Sequence, residues 1–200
     1  MANFWNTRSA IITGVAVTFL GGFYIYQSPT SISYTMSQST HSTSNGVPGL
    51  EFTLSQTARN PPTLLVTLKN TSPDTPYTLL KWGTPLDDAA LNTGVFSIVA
   101  EESGNEVEQL VLQINRKMPP PQEQLVTLAP GTEEEVQVVF DKPWMPGQKP
   151  AKYKVKAVGE FKGVWDKYGG DVSEDDLNKY AESPFNGRAF STNEVVMEVH

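Results

Sequence analysis

Apolar and polar residues alternate singly along most of this chain, a period of two that predicts strands rather than helices. Leu50-Glu51-Phe52-Thr53-Leu54 alternates cleanly, as does Leu64-Leu65-Val66-Thr67-Leu68, and the turn cluster Arg59-Asn60-Pro61-Pro62 separates them. Asn70-Thr71-Ser72-Pro73-Asp74 marks the next turn. Further strands are predicted at Tyr77 to Trp82, Val95 to Val99, Glu108 to Ile114 and, more weakly, Gln124 to Leu128. After the turn Ala129-Pro130-Gly131-Thr132 come Glu135 to Phe140, Lys152 to Val158 and finally Asn193 to Val199. About nine short strands divided by turns predict an all-β fold, an immunoglobulin-like antiparallel β-sandwich. Val136, Val138 and Phe140, with Tyr153, Val155 and Ala157, should face its core, and Gln137, Lys154 and Lys156 should face water.

Two regions break the period. Asp166 to Ala189 is polar and acidic, and reads as a long insertion between the last two strands. Within it Ser173 to Tyr180 predicts a short helix with Ser173 as N-cap and Asp176 three residues on. At the other end, Ala10 to Tyr26 is an uninterrupted apolar run of 17 residues behind a single charge, Arg8. It predicts one N-terminal hydrophobic helix over residues 1–26, and two readings fit: an uncleaved signal anchor or a cleaved signal peptide. The first makes the chain a single-pass membrane protein held through residues 10–26, with an extracytoplasmic C-terminal domain. The second makes it secreted. Residues 27–48 are rich in Ser and Thr without a charge and read as a linker, which leaves residues 49–200 as the sandwich domain.

Charge and composition narrow the chemistry. The chain carries a net charge of −7, with 15 Lys and Arg against 22 Asp and Glu, which argues against a nucleic-acid surface. With no cysteine there is no disulfide, thiolate metal site or thiol nucleophile. The 2 histidines, His41 and His200, have neither metal-ligand nor triad spacing. Asp171, Glu174, Asp175 and Asp176 do not match a calcium-binding loop and read as solvated surface. The expectation is a protein without catalytic residues, cofactor or metal. Asn70-Thr71-Ser72 is an N-glycosylation sequon at a predicted hairpin turn.

The segment with the most individual character is Leu79-Leu80-Lys81-Trp82-Gly83-Thr84-Pro85-Leu86-Asp87, a strand running into a bend with Trp82 as its anchor. A partner-binding surface is expected on the loop Gly83 to Asp88 with Trp82, on the basic-proline stretch Arg116 to Pro121, and on Phe161, Trp165 and Tyr168. Loops carry function, and Arg and aromatic side chains dominate interface energetics. Trp82, Gly83, Thr84, Pro85, Leu86, Arg116, Lys117, Trp165 and Tyr168 are the named candidates.

The run Leu79 to Leu86 also resembles the N-terminal prodomain of deuterolysin-like (aspzincin) fungal zinc metalloendopeptidases, among them the peptidyl-Lys metalloendopeptidases. The likeness continues through Val95-Phe96, Arg116-Lys117 before Pro119-Pro120-Pro121, and Val126-Thr127-Leu128-Ala129-Pro130-Gly131. It extends to Tyr153 to Val158 and Phe190-Ser191-Thr192-Asn193-Glu194-Val195. In that family a zinc-binding catalytic domain follows the prodomain. None of its catalytic residues has a counterpart up to His200, so none carries over. The resemblance implies a sandwich fold, an extracytoplasmic route, and a protein partner such as a deuterolysin-like protease that the module inhibits or helps to fold. The alternatives are an adhesion or scaffolding ectodomain and an accessory protein of a fungal secretory or biosynthetic pathway.

Overall fold

The computed structural model describes residues 46–147, 149 and 151–200. The N-terminal hydrophobic segment and almost all of the Ser/Thr-rich linker lie outside the described residues. No helix among the described residues is long and apolar enough to cross a membrane.

Among the described residues ten strands form: β1 Leu50–Arg59, β2 Pro62–Asn70, β3 Tyr77–Leu80, β4 Phe96–Ala100, β5 Leu125–Leu128, β6 Glu133–Val139, β7 Ala151–Glu160, β8 Val164–Trp165, β9 Ala189–Ser191 and β10 Val195–Val199. They make three antiparallel sheets of order β1-β2-β6, β10-β7-β4 and β5-β3-β8, with β9 added to the end of β7. The first two are the facing layers of an immunoglobulin-like sandwich: of their six strands, the first, second and fourth in chain order make one sheet and the third, fifth and sixth the other. The small third sheet is an addition at one end.

The predicted alternation is realised most cleanly in β7, where Tyr153, Val155 and Ala157 are buried and Lys152, Lys154 and Lys156 exposed. Opposite them lie Phe52, Leu54, Leu64, Val66 and Leu68. Val136 and Val138 pack against this core at half burial, and Phe140 meets Phe96 edge-on at 5.4 Å between ring centroids. Phe52, Phe161 and Phe190 form an aromatic cluster with centroid separations of 6.0, 5.3 and 5.2 Å.

β1 and β10 join without a backbone ladder. Asn193 donates its Nδ2 to the Leu54 carbonyl (3.0 Å) and accepts the Leu54 N–H (2.7 Å). Gln56 in turn donates its Nε2 to the Glu198 carbonyl (2.7 Å) and accepts the Glu198 N–H (2.9 Å). A side-chain amide offers the same donor and acceptor pair as a peptide group, so these two residues stitch the sheets at their common edge.

Three expectations need correction. Glu108 to Ile114 is not a strand: Val107 just ahead of it bonds to the Ile98 carbonyl, within it only the Leu112 N–H reaches a backbone carbonyl, that of Asn92, and the Gln109 side chain takes the Phe96 carbonyl. An amide side chain thus fills the place where a ladder bond would have formed, and the segment runs past β4 as an irregular strap. The third strand ends at Leu80, and Lys81-Trp82 enters a turn because Thr84 N–H and Oγ1 both bond back to the Lys81 carbonyl. Last, the sequon residue Asn70 is fully buried at the end of β2. Its Nδ2 donates to the Thr75 and Leu128 carbonyls, and its Oδ1 accepts from the Ser72 N–H and hydroxyl. The nitrogen a glycan would occupy is committed to the fold, so glycosylation at Asn70 and this structure exclude one another.

The connection from β8 to β9 holds the predicted short helix, α1 Glu174–Asn178, with a full capping box between Ser173 and Asp176. Leu177 and Val172 of this connection pack on Trp165, which fixes it to the third sheet.

Candidate functional site

The third sheet sets up a corner around Trp82. Lys81 N–H bonds to the Gln124 carbonyl (2.9 Å) and Leu80 N–H to the Gly163 carbonyl (2.8 Å), which places the β3 end between the β5 and β8 segments. The chain then turns at Gly83, whose φ of +72° is strained for any residue with a Cβ. Trp82 is buried there. Its Nε1 donates to Gln124 Oε1 (2.9 Å), and Tyr180 meets its ring edge-on at 5.8 Å. The Arg116 guanidinium lies over the same ring, 5.4 Å from the centroid.

Arg116 is also tied to Asp87, whose side chain is 1% exposed against 25% for Arg116. Asp87 Oδ2 accepts the Gly83 N–H (3.0 Å) and Oδ1 the Ala89 N–H (3.0 Å). One carboxylate therefore closes the bend, takes the Ala89 N–H ahead of the 3₁₀ turn Ala90–Asn92 and holds the arginine over the indole. A buried carboxylate is tolerated when its oxygens are this fully occupied.

Beside this platform opens a cleft of about 490 Å³, bounded by Trp82, Gly83, Asn115, Arg116, Lys162 and Tyr180 among others. Among the described residues no carboxylate lines it, although the chain as a whole carries −7. Asp87 neutralises Arg116, so Lys162 supplies the net positive charge. Neither Lys162 nor Lys117 lies within ion-pair distance of an acid among the described residues.

The sequence candidates divide sharply in this geometry. Trp82, Thr84, Pro85 and Leu86 are buried, and Thr84 Oγ1 donates to the Lys81 carbonyl (2.7 Å) while accepting the Leu86 N–H (3.2 Å). These four hold the corner together. Gly83 and Arg116 reach the cleft, and Lys117 and Met118 are exposed on the strap as it leaves. Trp165 is buried in its own small cluster, Phe161 belongs to the core, and Tyr168 is exposed away from the cleft lining. Sequence reasoning did not single out Asp87, Gln124, Lys162 or Tyr180. Asp87 fell inside the loop already named, and an acid between Leu86 and an Ala-rich turn was the available signal. The other three come from distant segments and had none.

A larger depression of about 800 Å³ lies at the opposite end of β7, beside Glu101, Glu102, Lys152, Tyr153, Glu198 and His200. Glu198 there is satisfied within the chain, paired with Arg59 (2.8 Å) and Lys152 (3.3 Å). The hydrogen bond from Lys152, followed by the Arg59 charge, holds the Glu198 carboxyl below its ordinary range. Burial raises the Tyr153 hydroxyl above its ordinary value. Among the described residues no group of three or more His, Cys, Asp or Glu is placed to hold a metal ion.

Comparison with known proteins agrees with the architecture. An uncharacterized secreted protein of Arthroderma benhamiae is 34% identical over 140 residues, which is 69% of this chain and 69% of that one. The immunoglobulin-like domain family matches residues 49–199, the whole of the sandwich described above. By strand order, core pattern and this match, the chain belongs to the immunoglobulin-like domain family.

Proposed function

We propose that the sandwich is a non-catalytic, extracytoplasmic binding module that meets a protein partner at the cleft beside Trp82. The observation that carries this reading is the cleft itself. Its floor is held by the Asp87–Arg116 pair and the Trp82–Tyr180 contact, and Lys162 stands unpaired at its edge in a chain of net charge −7. A rigid aromatic and guanidinium platform loses little entropy on binding, and a local positive site in an acidic chain selects for an acidic partner segment. The secreted relative supports an extracytoplasmic setting.

The partner class we favour is a deuterolysin-like zinc protease, which the module would inhibit or help to fold. The resemblance of Leu79 to Leu86 and Val126 to Gly131 to that family's prodomain supports it. The test is a titration of the chain against such a protease, read as inhibition of cleavage and as recovery of activity after refolding. The wild-type chain should do one or the other, and Lys162→Glu should weaken the effect by about tenfold, as expected for a charge reversed at a contact. Absence of both effects overturns the protease assignment, and an unchanged Lys162→Glu overturns the cleft.

A further inference from the structure

The strap is the one stretch where a strand-like sequence meets a structure that gives it no strand partner. Leu110, Val111 and Leu112 are 66%, 58% and 47% exposed. From Glu108 to Lys117 a single backbone N–H, that of Leu112, is bonded to another backbone group, and no carbonyl in that stretch accepts one, among the described residues. An extended segment with open peptide groups and apolar side chains is a template for another strand.

We infer that this strap is a docking strand for a second copy of the same chain, paired antiparallel about a two-fold axis through Leu112. The charges select that occupant. Glu106 and Glu108 precede the apolar stretch, and Arg116 and Lys117 follow it. Antiparallel pairing centred on Leu112 sets Glu108 beside Lys117 of the other copy, next to Arg116 whose guanidinium Asp87 already holds, and sets Leu110 opposite Ile114. Parallel in-register pairing would set Glu108 against Glu108. The backbone agrees with the centre. Leu112 directs its N–H inward to the Asn92 carbonyl at 2.7 Å, which leaves the peptide groups of Val111 and Gln113 to face outward. Leu112 then meets its own copy as a non-hydrogen-bonded pair, with Cα atoms about 4.5 Å apart. The two faces are one self-complementary patch, as a two-fold interface requires. The strap also walls the proposed partner cleft through Leu112, Ile114 and Arg116, and the two surfaces are tested at different residues, Lys162 for the cleft and Glu108 for the strap pairing.

The absence of cysteine makes the test direct. In the full-length chain, Leu112→Cys places two thiols within disulfide reach across the axis. Val196→Cys, on an exposed position of β10 away from the strap, is the control for random collision. Under mild oxidation Leu112→Cys should form a covalent dimer at least about tenfold faster than Val196→Cys, because the paired thiols share a high effective concentration. Equal rates overturn the inference. A second measurement uses the exposed charges, which the fold does not need. Glu108→Lys should weaken dimerisation by roughly tenfold, and Glu108→Lys with Lys117→Glu should restore most of it. A chain that sediments as a monomer at its highest soluble concentration also overturns the inference and leaves the strap to a different protein's strand.

Discussion

The Trp82 corner and the strap beside it are opposites, although they meet at Arg116. The corner reads as a polar loop, with Thr84, the bend residues Gly83 and Pro85, and the consecutive acids Asp87 and Asp88. Yet Thr84 and Asp87 are buried and every polar atom that closes the turn has a partner. The strap reads as an apolar strand, yet Leu110 to Leu112 face solvent and its peptide groups are almost all open. In these two regions burial follows the availability of hydrogen-bond partners more closely than it follows side-chain polarity. A buried Asp with three partners is stable, whereas a strand pattern without a neighbouring edge has nowhere to go.

This contrast can be broken most forcefully at the shared residue. Arg116→Met keeps the volume over Trp82 but leaves Asp87 buried and uncompensated. It should cost about 3 kcal/mol, read by chemical denaturation. If the loss is below about 1 kcal/mol, the corner is held by packing rather than by the ion pair. The next largest effect is expected at Asn70→Ala, which removes a buried amide with four hydrogen bonds and strands the Leu128 carbonyl. About 2 kcal/mol should be lost, and a glycan should be undetectable on the wild-type residue by mass spectrometry.

A smaller, local effect belongs to α1. The hydrogen bond from Lys167, aided by the Ser173 N–H and hydroxyl, lowers the Asp176 carboxyl from 3.8 to about 2. A depressed carboxylate stabilises the folded state above its unfolded value and loses that contribution as pH falls through its folded value. The capping box should therefore hold at pH 5 and weaken progressively between about 4 and 2, followed by amide exchange at Leu177. Asp176→Asn should remove that dependence. The smallest effect sharpens the contrast from the other side. Leu110→Ser and Leu112→Ser delete exposed side chains and should change the stability of the isolated chain by no more than about 0.5 kcal/mol.

The strands were legible where one face of a sheet is buried, because alternation then records which side faces the core. β7, with Tyr153, Val155 and Ala157 inward, shows it best. The short strands β8 and β9 were not legible, since two or three residues carry no period. Glu108 to Ile114 carried the period and still formed no strand, because a strand needs an edge to pair with, and at β4 the Gln109 side chain takes the Phe96 carbonyl in place of a backbone N–H. In the site, Trp82 and Arg116 stood out by residue type, and their neighbours Lys162, Tyr180 and Gln124 did not. Their roles arise from approach in space across separations of up to 98 residues in the case of Trp82 and Tyr180.

The sequence by itself determined the all-β class, the inward and outward faces of the long strands, and the Ser173–Asp176 capping box, because each depends on residues within a few positions of one another. Only the tertiary structure decided which polar residues are structural and which apolar ones are free. Gln56 and Asn193 became stitches between sheets, and Asp87 became the clamp on Arg116. Asn70, read as a glycan acceptor, became a buried peg. The physical reason is the same in each case: a hydrogen bond is specified by two partners, and the second partner lies far along the chain.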